Sequence, residues 1–322
     1  MKNICYIILI ASLLTACSQA EMEEPDRRIA LSASVGELAV TTRAATAAPY
    51  KGTTPSSDNK FIADVWFSAT SGEYSSTVAD VGTNLPCHTT IEFDSEALEY
   101  PQNENKDLKY PSGGSAYCVG LYPSGKWSSS TDNQTVSATI DGAQDLMFAP
   151  QRSGSWTSPF SQTPLQFNHL LTWLKICVCA TSEDTPATWG EITSIKVVSK
   201  AQVTVELASG TVTYDGNNVD IVALESTDGL PLATTIQEVG SVLCSPATEY
   251  TLKIETSKGE DKEVLIKLND LEGNEITDAN STVGKLFVLS LYFNKSAVLE
   301  GVCTLNSWNN QDEDLYLGDS RQ

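Results

Sequence analysis

Val203–Tyr214 reads VTVELASGTVTY. Val203, Val205 and Leu207 fall on one side of an extended chain, Ser209-Gly210 breaks the run, and Val212 and Tyr214 resume it. A period of two interrupted by a turn pair marks a β-hairpin with one buried face. Asp215-Gly216-Asn217 and Glu272-Gly273-Asn274 read as two more turns, the second between EVLIKL (263–268) and a short EIT strand (275–277). Near the end, FVLSLYF (287–293) sets Phe287, Leu289, Leu291 and Phe293 on one face, fit for a core, and Val288, Ser290 and Tyr292 on the other. Between these segments, short β-branched and aromatic runs alternate with Gly, Pro, Asn, Asp and Ser. No long stretch keeps a helical period; one short helical turn is expected around Asn168–Trp173. The expected fold is therefore all-β and built of sandwiches.

At 322 residues the chain exceeds one ordinary β core, so two domains are expected. Two stretches read as connections, Pro150–Pro164 (PQRSGSWTSPFSQTP) and Thr181–Glu191 (TSEDTPATWGE). The second splits the body into near-equal halves, 44–182 and 183–322. No fixed-period repeat points to a solenoid or propeller.

Composition excludes several classes of function. The 41 acidic against 20 basic residues give a net charge of −21, which repels phosphate backbones and excludes nucleic acid as a partner. Hydrophobic content of 41% is enough for real cores. The two histidines leave little material for His-based metal sites or catalysis. His169, between Asn168 and an apolar run, reads as a packed or hydrogen-bonded residue in preference to a general base. His88 adjoins Cys87 without the further ligands zinc needs. DGNNVD (215–220) and NDLEGNE (269–275) are acidic turns without EF-hand spacing, and read as solvated hairpin tips. Nucleophile-elbow, phosphate-loop, zinc-protease and dinucleotide motifs are all missing. The expectation is a chain with no enzymatic activity, cofactor or metal. Trp66, Trp127, Trp156, Trp173, Trp189 and Trp308 serve either core and interface packing or a stacking platform for a sugar.

The N-terminus specifies a compartment. Lys2 precedes ICYIILIASLL (4–14), too short to span a bilayer but suited to a signal-peptide core. Leu14-Thr15-Ala16-Cys17 follows and resembles a bacterial lipobox, which places signal cleavage between Ala16 and Cys17 and lipid on Cys17. The plain alternative is a secretory signal with a chance cysteine. SQAEMEEPDRR (18–28) reads as a polar tether; its acidic residues, soon after the lipid cysteine, resemble the surface-export signal of lipoproteins of the Bacteroides group. With Cys5 removed and Cys17 lipidated, Cys87, Cys118, Cys177, Cys179, Cys244 and Cys303 remain. In an exported chain they permit up to three disulfides or serve as buried free thiols. Cys177 and Cys179 point the same way on a strand and are poorly placed to bond each other.

IALSASVGELAVTTRA (29–44) lies just ahead of the body. Ile29, Leu31, Ala33 and Val35 alternate as one face of a strand; after Gly36, read as a bulge, Leu38 and Val40 resume it. The run ends at Thr41-Thr42-Arg43-Ala44, and a loose, small-residue segment, ATAAPYKGTTPSSDNK, follows. An arginine before such a segment is accessible to proteases. The plain alternative is a first strand followed by a loop, with Arg43 merely solvated.

Taken together, the lipobox at Cys17, the strand ending TTRA, the stretch LKYPSGGSAYCVGLYP with Tyr122-Pro123, the run PLQFNHLLTWLKICV (164–178) and the closing strands through Leu305-Asn306-Ser307-Trp308 resemble the fimbrillin family, the type V pilins of Bacteroidales. Phe167-x-His169, with Leu170, Leu171 and Leu174, is similar to that family's F-x-H-x-L strand motif. The resemblance implies two transthyretin-like β-sandwich domains in tandem, a lipoprotein signal over 1–16, a lipidated propeptide over 17–43, and cleavage between Arg43 and Ala44 by an arginine-specific protease. It further implies a cell-surface fimbrium whose subunits join head to tail by donated strands, the outer membrane holding the precursor through its lipid. Ile29, Leu31, Ala33, Val35, Leu38 and Val40 would form the strand removed at cleavage. The sequence departs from this pattern at the C-terminus, where NNQDEDLYLGDSRQ alternates apolar residues only at Leu315 and Leu317. A tip subunit needs no donor there, and a stalk subunit would have to use the Val298–Leu305 strand. The competing expectations are a surface lipoprotein that binds glycans without polymerising, and an exported hydrolase using paired carboxylates.

Overall fold

The computed structural model describes residues 27–36, 50, 54–58, 60–74, 82–95, 97–132, 134–259 and 261–306. In chain order the strands are β1 (Ala33–Val35), β2 (Phe61–Ser68), β3 (Cys87–Phe93), β4 (Gln102–Asn103), β5 (Lys106–Asp107), β6 (Ala116–Tyr122), β7 (Ser128–Ser129), β8 (Thr135–Thr139) and β9 (Met147–Gly154). There follow β10 (Leu165–His169), β11 (Thr172–Ala180), β12 (Glu191–Glu206), β13 (Val212–Pro231), β14 (Gln237–Cys244), β15 (Glu249–Thr256), β16 (Lys262–Lys267), β17 (Leu286–Phe293) and β18 (Leu299–Asn306). The chain is all-β in sandwich layers, with a single short α-helix, α1 (Thr185–Trp189), among the described residues.

Three large sheets carry the fold. The first runs β1-β10-β9-β6-β2-β3, the second β14-β11-β17-β18, and the third β16-β15-β12-β8-β7 with β13 also on β12. The expected hairpin is present: Val203 pairs with Tyr214 and Val205 with Val212, and Gly210 closes the turn at φ +71. The turn expected at 215–217 is absent. β13 runs on as one strand, and between Lys200 and Gln202 the register slips where Gly216 adopts φ +79. A glycine that tolerates positive φ serves a bulge as readily as a turn, and here β12 remains long enough to keep pairing. The turn at Gly273 forms, closed by Asp270, whose carboxylate accepts the N–H groups of Glu272 and Asn274.

Both faces of β17 are covered: Val288 and Ser290 are buried along with Phe287, Leu289, Leu291 and Phe293. Its parallel neighbour β11 is buried at every position, the mark of a strand packed on both sides. Lys175 lies within β11, its Nζ 5.3 Å from the centroid of the Trp173 ring and 3.9 Å from Glu238 Oε2. No helical turn forms at Asn168–Trp173. β10 ends at His169, and the buried pair Leu170-Leu171 turns the chain directly into β11. The helix lies instead in the Thr181–Glu191 connection, with Pro186 in its first turn and Gly190 closing it at φ +70. The other connection, Pro150–Pro164, begins inside β9.

Pairing crosses the expected division at 182/183. β11, from before it, pairs with β14 and β17, and β8 pairs with β12. All six body cysteines are free and buried.

Candidate functional site

Residues 27–36 thread between two partners. Over the first half, Tyr110 N–H donates to Arg27 O at 2.9 Å and Ile29 N–H donates to Leu108 O at 2.8 Å. Leu31 and Glu99 exchange both backbone bonds, at 2.8 and 2.7 Å. Over the second half the chain moves to β10. Leu165 N–H donates to Ser32 O at 2.8 Å, Ala33, Ser34 and Val35 pair in parallel with Leu165, Gln166 and Phe167, and Gly36 N–H closes on Phe167 O at 2.8 Å. β1 is thus the last strand of the first sheet, and β10 has β9 on its other side.

The side chains follow the expected alternation. Ile29 is 0% exposed, Leu31 1%, Ala33 5% and Val35 4%, while Ser32 and Ser34 are half-buried. Each of the larger three contributes about 1.5–3 kcal/mol of burial before ordering costs. Phe167, opposite Val35, lies over Gly120, where a methyl group would sit 2.6 Å from the ring; the missing side chain makes room for it. Ala16, Cys17, Leu38, Val40, Arg43 and Ala44 lie outside the described residues.

Tyr50 is buried in the core. Its N–H donates to Asp145 Oδ2 at 3.0 Å, and its ring meets Phe61 edge-on at 4.9 Å and Tyr122 at 5.7 Å. Burial pushes the Tyr50 hydroxyl up to about 12. Asp145 also accepts from His169, whose Nδ1 stands 2.9 Å from Oδ2 and 3.0 Å from Oδ1, both side chains being buried. His169 ends β10, so one carboxylate links the strand that holds residues 33–36 to Tyr50. Sequence reasoning did not single out Asp145 or Tyr50. Their only sequence signal was an acid just ahead of the apolar run Leu146–Ala149 and an aromatic after Pro49, and the bonds of Asp145 to Tyr50 and to His169 span 95 and 24 positions.

A second polar cluster lies in the same sheet. Asp64 accepts Ser124 Oγ–H at 2.6 Å, Thr90 Oγ1–H at 2.8 Å and Gly125 N–H at 3.0 Å, with His88 Nε2 3.6 Å away. Burial alone would raise its pKa, but the hydrogen bonds from His88, Ser124, Gly125 and Thr90 outweigh it and bring it to about 2. His88 stacks on Trp66 at 4.2 Å. Trp66, Trp173 and Trp189 are buried and Trp127 is half-buried; Trp156, at 45%, is the exposed tryptophan among the described residues. Trp308 lies outside them. Among the described residues no cluster of three or more His, Cys, Asp or Glu is placed to hold a metal ion, and no helix is long and apolar enough to cross a membrane.

These features define an all-β sandwich protein in which the first described strand, β1, forms the end of a sheet beside β10. The same fold is found in solved structures of candidate cell adhesion proteins from Bacteroides. One, from Bacteroides uniformis ATCC 8492, is 18% identical, with a TM-score of 0.52 over 89% of this chain and 100% of that one. Another, from Bacteroides ovatus ATCC 8483, is 13% identical, with a TM-score of 0.51 over 88% of this chain and 99% of that one. At such identities the likeness is one of fold. No family model and no curated protein matches the chain.

Proposed function

We propose that this chain is a structural subunit, stalk or tip, of a bacterial surface fimbrium with a role in adhesion. It is exported as a lipoprotein precursor anchored through Cys17 to the outer membrane. An arginine-specific protease cuts it after Arg43, and it polymerises by β-strand donation. The observation that carries this reading is the placement of residues 29–35: Ile29, Leu31, Ala33 and Val35 are buried, Ala33–Val35 forms an end strand beside β10, and the segment runs on in sequence toward Arg43. The shared fold with candidate adhesion proteins supports the surface role.

The physical logic is an exchange of one strand for another. While the chain is intact, the tether keeps residues 29–35 at a high effective concentration beside β10, so no outside strand competes. Cutting the tether makes their retention bimolecular. The edge of β10 and the backbone of 99–110 then offer unpaired N–H and C=O groups and vacated apolar pockets to a neighbour's strand. Because each joint is head to tail and need not close, a filament results.

Two sandwiches in tandem remain part of the proposal, with the division near Leu170-Leu171 in place of 182/183, since β11 pairs within the later sheets. The β7–β8 hairpin would reach across from the earlier part to β12. The glycan-binding alternative is weakened by the burial of Trp66, Trp173 and Trp189, which removes three of the five described tryptophans from any stacking platform.

Replacing Arg43 with Ala tests the mechanism. The expected result is a monomeric precursor, still lipidated at Cys17, on the cell surface. Normal filaments of Arg43→Ala subunits would overturn it.

A further inference from the structure

Two anchored points flank the segment that contains Arg43. On one side, Gly36 N–H closes the pairing of residues 27–36 on Phe167 O. On the other, Tyr50 N–H is held by Asp145 Oδ2 at 3.0 Å and its ring is packed against Phe61 and Tyr122. Asp145 is itself fixed by His169, the last residue of β10. The two anchors differ in kind. The first belongs to the end strand and leaves with it. The second is a buried carboxylate from the loop before β9, bonded to the backbone of the chain that stays.

We propose that Asp145 is the retention post of the mature N-terminus: held by His169, its carboxylate pins the chain at Tyr50, so that a cut after Arg43 frees residues 29–35 and leaves everything from Tyr50 onward in place. Asp145 is thus a positioning residue for maturation. It keeps the Tyr50 ring seated against Phe61, which in turn packs on Phe167 at 4.7 Å, and so preserves the wall of the emptied groove. Without the post, the new N-terminal segment would peel back along the core as the strand departs, and the groove would collapse before a donor arrived. The inference rests on the fimbrial reading for the position of the cut and adds what happens on the retained side.

The test follows hydrogen exchange in the full precursor chain, before and after cutting with an arginine-specific protease, for the wild type, Asp145→Ala and Asp145→Asn. In the wild type the Tyr50 amide should stay equally protected through the cut while the amides of residues 29–35 lose protection as the strand leaves. Asp145→Ala should lower Tyr50 protection about tenfold or more, because a buried N–H loses its acceptor. Asp145→Asn should keep it within about threefold, since the amide oxygen still accepts. Amides of β15 report whether each variant is folded. Wild-type protection of Tyr50 in folded Asp145→Ala would overturn the proposal, as would loss of Tyr50 protection together with residues 29–35 in the cut wild type. Should Asp145→Ala fail to fold, Asp145→Leu, which keeps the branched shape but accepts no hydrogen bond, takes its place with the same expected loss, and wild-type protection of Tyr50 in folded Asp145→Leu would overturn the proposal. Cells that never cut after Arg43 would defeat the fimbrial reading, whereas the comparison on protein cut in vitro would still decide the role of Asp145.

Discussion

At Asp64, burial and hydrogen bonding oppose each other and hydrogen bonding prevails, taking the carboxyl from its usual 3.8 to about 2. A folded pKa below the unfolded one means stabilisation that is fully present above about pH 4 and is lost as the pH falls toward 2. Asp64→Asn is therefore expected to cost roughly 2 kcal/mol in urea unfolding at pH 7. The gap to wild type should close as the pH drops from about 5 to 2, and a gap that stays constant with pH would count against the account. The cysteines give a second prediction at this scale. Burial pushes Cys87, Cys177 and Cys244 each up to about 12 and Cys303 up to about 11, so almost no thiolate is available at neutral pH. A thiol reagent should leave the folded mature chain unlabelled and label all six thiols after denaturation; titration of fewer after denaturation without reductant would mean disulfides. The residue types were legible here, but the partners were not. That His169 is packed or hydrogen-bonded can be read from the apolar run after it, but nothing beside His88 marks it as held, and Asp145 and Asp64 reach the two rings only through sheet packing.

Of the strand expected over 29–40, the alternation was legible over Ile29–Val35, where every second side chain meets the core, although only Ala33–Val35 forms a strand and Leu31 an isolated bridge. The route of this segment was not, since nothing in ILAV-type alternation says that the first half pairs with 99–110 and the second with β10. Likewise the period of two revealed the 203–214 hairpin, whereas Asp215-Gly216-Asn217 misled because a glycine at positive φ is equally at home in a bulge. The helix at Thr185–Trp189 is too short for any periodicity to show, and only Pro186 and Gly190 mark its ends. The groove yields a prediction of its own. Leu31→Ala removes a side chain that is 1% exposed and should cost about 2–5 kcal/mol of strand retention. After cutting at Arg43, the peptide carrying residues 29–35 should then dissociate about 30-fold faster or more than from the wild type, as read by size-exclusion chromatography of the cut protein. Equal dissociation rates would show that these pockets do not hold the strand.

For the molecule as a whole, charge and assembly separate cleanly. Residues 1–43 contain four basic residues (Lys2, Arg27, Arg28, Arg43) and five acidic ones (Glu21, Glu23, Glu24, Asp26, Glu37), which leaves 16 basic and 36 acidic residues after the cut, a net −20. The acidity thus belongs to the retained body, where it favours solubility, while the proposed joint between subunits is apolar and backbone-bonded. The layered all-β architecture was legible from composition and alternation; the strand pairing was not, since β11 and the β7–β8 hairpin pair with strands beyond the Thr181–Glu191 connection. Strand pairing depends on contacts far apart in sequence, and linker composition carries no record of them. The central claim is that residues 29–35 are exchanged for a neighbour's strand after a cut at Arg43. Mass spectrometry of subunits taken from surface filaments tests it most directly. The account predicts an unlipidated chain beginning at Ala44 with no peptide from 17–43 retained; assembled subunits that still begin at lipidated Cys17, or that keep residues 29–35 bound, would contradict it.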